Sequence, residues 1–211
     1  MSALKIKICG MRRREDIGYV NRWRPDYAGF ILSGGFKRSV AFDDFCGLRD
    51  MLDGGIKSVG VFVNEPLESI AKYCDMLDVI QLHGDEDAEY IEKLRGICGG
   101  AEIWKAVRAK SPADIETACK LPADKLLIDS FSEKQYGGTG KRVDLEIFDK
   151  VKIDKPFFLA GGLTAENVCE AADRVKPYGV DFSSSAEVDG YKDENKIREI
   201  IETINNYLKE G

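Results

Sequence analysis

The chain has 211 residues, enough for one substantial core and compatible on length alone with one or two domains. Its 44% hydrophobic and 32% charged content excludes a disordered chain, and a net charge of −6 excludes the basic field that a general nucleic-acid binder needs. A small anionic ligand stays compatible with that charge, because a few backbone amides and one arginine suffice to hold a phosphate.

From the N-terminus, no long apolar run follows Met1, and no stretch approaches the ~18 apolar residues of a membrane span. The expectation is a cytoplasmic protein without membrane or nucleic-acid contact. The first strand is predicted over Lys5–Cys9, where isoleucine alternates with lysine and cysteine. Further strands are predicted over Tyr27–Leu32, Lys57–Val63, Val79–Leu82, Glu102–Val107, Lys125–Asp129, Phe157–Ala160 and Val180–Ser183. Between them, helical patterns cover Arg14–Trp23, Phe42–Leu52, Leu67–Met76, Ala88–Cys98, Pro112–Lys120, Leu145–Val151, Ala165–Val175 and Lys196–Leu208. Ser111 before Pro112 and Thr164 before Ala165 read as helix caps. Eight strand–helix pairs in regular order predict a parallel sheet closed into a single (β/α)8 barrel spanning 1–211, compact beside the ~250 residues of a typical barrel. A doubly wound open sheet is the alternative, and the turn after the first strand, "CGMRRRED", lacks its glycine-rich dinucleotide fingerprint.

Six cysteines (Cys9, Cys46, Cys74, Cys98, Cys119 and Cys169) are dispersed without a CxxC pair, so free thiols, most of them small core residues, are expected. One histidine, His83, cannot build a two- or three-histidine metal site, and no metal is expected.

In a barrel, chemistry gathers where strands end. Those ends read Cys9-Gly10, Asn64-Glu65, Gln81-Leu82-His83-Gly84, Lys105 to Arg108, Asp129-Ser130, Gly161-Gly162 and Ser183-Ser184-Ser185. Loops after strands seven and eight commonly cradle phosphate, which points to Gly161, Gly162, Ser184 and Ser185; the plain alternative is a tight turn with Ser and Thr caps. Cys9 and Asp129 are the acid–base candidates. A thiol of unperturbed pKa ~8.5 becomes a base beside a cation, and Cys9 is set apart from the other cysteines because it ends a strand before glycine. A lone strand-end aspartate more often serves an ion pair or a cap than catalysis. Arg38, after the second strand, can meet a carboxylate as a fork. Gln81 and His83 are carried as substrate-binding candidates, although a lone histidine is more often structural. "YGGTGK", Tyr136–Lys141, fails the P-loop spacing and reads as a glycine-rich lid or a surface turn.

Taken together, "KICGM", "GVFVNE", "IQLHGDE", "LLIDS", "YGGTGK", "LAGGLTAENV" and "VDFSSSAE…DGYKD" resemble, in order from Lys5 to Asp193, the motifs of the phosphoribosylanthranilate isomerase family. The resemblance implies a barrel without cofactor or metal that acts in tryptophan biosynthesis on a phosphorylated small molecule, as a monomer or homodimer. The implied reaction is an Amadori rearrangement of N-(5-phosphoribosyl)anthranilate to 1-(2-carboxyphenylamino)-1-deoxyribulose 5-phosphate. In it Cys9 is the general base at C2 of the ribose, Asp129 the general acid at the ring oxygen, and Arg38 the ligand of the anthranilate carboxylate; Gly161, Gly162, Ser184 and Ser185 surround the phosphate. An acid that holds its proton near neutral pH calls for a raised pKa at Asp129.

Two departures stand out. Phe36-Lys37-Arg38, preceded by Ser-Gly-Gly, replaces the family's "SxR" and its bulkier, proline-containing loop. Ser185 stands where the family's "SSGVE" has glycine, and is strained if that position takes a positive φ. Among other phosphate-binding barrels, a ribulose-phosphate epimerase needs more histidines than one, and an indole-3-glycerol-phosphate synthase needs a lysine and glutamate strand-end pattern these motifs lack. A non-enzymatic metabolite-binding barrel would not require the Cys9 and Asp129 pair. Finally, if Cys9 faces the barrel interior, so do Lys7 and Lys5, and a buried lysine needs a counter-charge. Asp181, sharing parity with Ser183 on the eighth strand beside the first, predicts a Lys7–Asp181 pair that helps hold Cys9 as thiolate.

Overall fold

The computed structural model describes residues 4–129 and 145–210. Strands β1 (Lys5–Cys9), β2 (Tyr27–Ile31), β3 (Lys57–Phe62), β4 (Val79–Leu82), β5 (Glu102–Arg108), β6 (Lys125–Asp129), β7 (Phe157–Ala160) and β8 (Gly179–Phe182) pair in parallel in that order. β8 returns to β1, which closes the barrel. Each strand lies within a residue of its predicted limits. The period-2 pattern survives because every strand has two buried faces of different character. Outward residues such as Ile8, Phe30, Ile80 and Leu159 pack beneath the helices, and inward ones such as Val59, Val79, Trp104 and Phe158 fill the barrel. At the barrel floor, Trp104 stacks on Phe158 at 4.6 Å, and Tyr27 meets both edge-on at 5.0 and 5.4 Å.

The helices are α1 (Arg14–Trp23), α2 (Phe42–Met51), α3 (Leu67–Ala71), α4 (Ala88–Ile97), α5 (Pro112–Cys119), α6 (Val168–Val175) and α7 (Glu194–Glu210). Ser111 does cap α5: the Asp114 carboxylate accepts from the Ser111 amide and hydroxyl at 2.8 and 3.0 Å. Three helical expectations change. Glu146–Lys150 is one short 3₁₀ stretch, too brief to offset the cost of an α-helical nucleus. α6 begins three residues late, because Asn167 folds back to accept from the Thr164 amide at 2.9 Å. α3 ends at Ala71, and turns carry the chain on to β4.

That early ending corrects the cysteine reading. The turn after α3 brings Cys74 to the end of α4, where it forms a disulfide with Cys98 at a Cα–Cα distance of 5.0 Å. Cys9, Cys46, Cys119 and Cys169 are not part of that bond, and of these Cys9 alone is buried. Among the described residues, no helix is long and apolar enough to cross a membrane. One element was not anticipated: after β8, a 3₁₀ turn at Ser184–Ala186 leads into a two-stranded hairpin, β9 (Glu187–Val188) and β10 (Tyr191–Lys192).

Candidate active site

Above the aromatic floor the barrel interior becomes polar. Cys9 closes β1 opposite Gly29 of β2. A Cβ on Gly29 would lie 2.8 Å from the Cys9 sulfur, so the thiol occupies the space a side chain would take. Gly10 then takes a φ of +96°, and the amides of Gly10 and Met11 both donate to the Gly29 carbonyl at 2.9 Å, which turns the chain over the rim.

One layer below, Lys7 and Asp181 stand in register across β1 and β8, and Lys7 Nζ donates to Asp181 Oδ1 at 2.8 Å. The pair expected from parity is there, with Lys7 fully enclosed and Asp181 nearly so. Lys5 lies apart from it, pairing with Asp26 at 2.8 Å and one-third exposed. Burial pulls the Lys7 ammonium down, but Asp181 and Cys9 outweigh it and leave Lys7 above its ordinary pKa, which favours the ionised pair. For Cys9 the balance falls the other way. Burial pushes the thiol up, and Lys7 and Lys192 pull it back only in part. Lys7 is the foremost of the groups that lower the thiol, as its place beneath Cys9 led one to expect, but burial outweighs it.

Farther round the mouth, Asp129 closes β6, half-buried, and interacts electrostatically with His83 and Asp181. Ser130 and the Tyr136–Lys141 segment lie outside the described residues. Gln81 of β4 and His83, the residue after its end, share parity, with Gln81 Nε2 3.2 Å from His83 Nδ1. Gln81 Oε1 is buried and has no hydrogen-bond partner among the described residues. Burial, with Lys7, Arg108 and Lys105 against Asp129, lowers His83 to about 4, so the imidazole is neutral at neutral pH.

Arg38 does not stand alone on the surface. Its Nε and Nη2 meet the two oxygens of Glu187 at 2.8 and 2.9 Å, a fork in which Glu187 is the acceptor. The same carboxylate accepts from Lys192 Nζ at 2.7 Å, and Lys192 also donates to the Ser183 carbonyl at 2.8 Å. Burial raises Glu187, yet the two cations overcome it and hold the carboxylate below its usual range. Glu187 and Lys192 were quoted in the sequence pattern without a role. The signal that could have found their hairpin is Asp189-Gly190 between "EV" and "YK", since both turn residues take positive φ (+51° and +79°) as a two-residue hairpin loop requires. The arginines after Met11 clamp this hairpin. The Arg12 and Arg13 guanidinium carbons sit 4.2 and 4.4 Å from the centre of the Tyr191 ring, Arg12 also donates to the Gly190 carbonyl, and Arg13 to that of Lys192 at 2.9 Å.

The loops after β7 and β8 lie side by side, because those strands pair. Gly161 and Gly162 both take positive φ, +93° and +72°, conformations that a side chain would strain. Asn167 Nδ2 donates to the Gly162 carbonyl at 3.0 Å and steadies that turn. Ser185, within the 3₁₀ turn, does not take positive φ, so the missing family glycine leaves no strain there.

Residues 6–203 match the family model described as N-(5'phosphoribosyl)anthranilate (PRA) isomerase. A protein of Caldanaerobacter subterraneus subsp. tengcongensis named N-(5'-phosphoribosyl)anthranilate isomerase is 46% identical over 203 residues, 95% of this chain and 98% of its own. The crystal structure of phosphoribosyl anthranilate isomerase from Thermotoga maritima superposes with a TM-score of 0.81 at 31% identity, covering 96% of this chain and 99% of that one. A crystal structure of the isomerase in complex with reduced 1-(o-carboxyphenylamino)-1-deoxyribulose 5-phosphate superposes with a TM-score of 0.78 at 29% identity, over 96% and 99% of the two chains. Fold, motif order and matched length agree, and this chain belongs to the N-(5'-phosphoribosyl)anthranilate isomerase family.

Proposed function

We propose that the chain isomerises N-(5-phosphoribosyl)anthranilate to 1-(2-carboxyphenylamino)-1-deoxyribulose 5-phosphate, the Amadori step of tryptophan biosynthesis. The observation that carries this reading is the family match over residues 6–203 together with Cys9 and Asp129 ending β1 and β6 at one barrel mouth. Asp129 gives its proton to the ring oxygen, the bond from that oxygen to C1 breaks, and nitrogen lone-pair density forms the C1 iminium. Cys9, as thiolate, takes the proton from C2, and the electrons of that bond move to relieve the iminium. The resulting enol-amine tautomerises to the ketone, so no net oxidant is needed.

The substrate carries a carboxylate and a phosphate. Arg38 suits the first: Glu187 holds one edge of its fork, which leaves the other edge for a second carboxylate. The amides of Gly161, Gly162, Ser184 and Ser185 suit the second. Gln81, with a buried acceptor in need of a donor, and neutral His83 suit the sugar hydroxyls. The test is a fluorescence assay of substrate loss with Cys9→Ala and Asp129→Asn, each checked for folding by circular dichroism. We expect kcat to fall by roughly 10²–10⁴-fold in each. Near-normal turnover in both would remove the acid–base assignment.

A further inference from the structure

We propose that Lys192, held by Glu187 in the β9–β10 hairpin, is the positioning residue that allows Cys9 to serve as the base. The inference rests on the reading of Cys9 given above. Burial pulls the Lys192 ammonium down and Glu187 opposes that shift; the part of Lys192 is electrostatic, and no substrate proton passes through it.

Four observations lead there. First, Lys192 is buried, its side chain wholly enclosed. A buried ammonium costs several kcal/mol unless it is paired, so a fold retains one where the charge has a use. Second, its position is beside Cys9. A Cβ on Gly10 would lie 3.5 Å from Lys192 Nζ, and the Ser183 carbonyl that accepts from Lys192 belongs to the residue whose hydroxyl donates to the Cys9 carbonyl at 3.4 Å. Third, the charges do not cancel. Lys7 pairs with Asp181, whereas among the described residues the one carboxylate of Glu187 faces both Lys192 and Arg38. These five side chains carry a net charge of +1, which a Cys9 thiolate would neutralise. Fourth, among the described residues the cations that act on the thiol are Lys7 and Lys192, whereas β2 presents Gly29, His83 at the end of β4 is neutral, and β6 presents Asp129. The lowering of the thiol pKa by Lys192, second among the cations only to Lys7, is consistent with this arrangement.

The test compares wild type with Lys192→Met, Lys192→Arg and Glu187→Gln in the full chain. The Cys9 titration is read as ultraviolet thiolate absorbance, taken as the difference from the same variant carrying Cys9→Ser. Lys192→Met should raise the thiol midpoint by about one pH unit and shift the acidic limb of kcat/KM equally, a roughly tenfold loss at neutral pH. Lys192→Arg should restore most of both. Glu187→Gln should move the midpoint the opposite way, downward, while KM rises because Arg38 loses its fork. This variant keeps the test open should Lys192→Met fail to fold. An unchanged thiol midpoint in Lys192→Met, even with activity lost, makes the residue structural and overturns the proposal. So does an upward shift in Glu187→Gln. If the midpoints move as expected but Cys9→Ala turns over normally, the base assignment fails, and the role of Lys192 in the reaction fails with it.

Discussion

At Gly29 the absence of a side chain is itself a functional feature. β1 and β2 place it opposite Cys9, and an added Cβ would lie 2.8 Å from the sulfur and 3.2 Å from the Cys9 Cα. The sulfur could rotate away, but the backbone contact would remain tight, so Gly29→Ala should displace the thiol without unfolding the barrel. Because an error of about 1 Å at a reacting group can cost ~100-fold in rate, we expect kcat to fall between about 10- and 100-fold with KM little changed. Steady-state kinetics with a melting curve checks this, and unchanged kcat would show that the thiol position is not tightly set. At this scale the sequence was informative where period-2 parity applies. Parity alone put Lys7 beneath Cys9 and Asp181 against Lys7, and the pair lies at 2.8 Å. Parity could not tell that burial would outweigh Lys7 at the thiol, because that balance depends on how completely the site is enclosed.

Among the elements, the β9–β10 hairpin links the carboxylate site to the base. Glu187 and Lys192 face each other across it, and its turn depends on Gly190 at a φ of +79°. A Cβ there would also come within 3.2 Å of Lys37 Nζ. Gly190→Ala should therefore cost about 1–2 kcal/mol of local strain and loosen Glu187 before it loosens the barrel. The expected result is a KM several times higher with only a small fall in melting temperature; an unchanged KM would separate the hairpin from substrate binding. The hairpin shows where sequence reading stops. Strands of two residues are too short for an alternation pattern, so the Asp-Gly turn was the available cue. The eight barrel strands were legible because each carries four or more residues of β-branched or apolar pattern between turn signals. The Cys74–Cys98 bond was not, since it depends on α3 stopping at Ala71 and on the packing of two consecutive helices. Arg38 was placed correctly at a strand-end loop, but its Glu187 partner lies 149 residues away in sequence, beyond any local signal.

Across the whole molecule, the barrel interior divides into an apolar aromatic floor and a mouth crowded with ionisable groups, and this division makes stability depend on pH. His83 reports it most directly. In the unfolded chain its pKa is near the ordinary 6.5; in the folded barrel burial, reinforced by Lys7, holds it at about 4. Between those values the unfolded chain binds more protons than the folded one, so stability from this group is complete above 6.5 and is lost as pH falls toward 4. The loss from this one residue amounts to at most about 3 kcal/mol, a large share of the 5–15 kcal/mol that holds a typical domain together. His83→Gln keeps a neutral hydrogen-bonding side chain and removes the titration. Urea unfolding at neutral pH and near pH 4 should therefore show the parent losing up to about 3 kcal/mol more than His83→Gln. Equal losses in the two proteins would mean that the folded barrel admits a charged imidazole, and the neutral His83 assigned to the substrate's hydroxyls would have to be abandoned. A larger loss in the parent ties the same desolvation that makes the mouth a site for proton transfer to the acid sensitivity of the fold that encloses it.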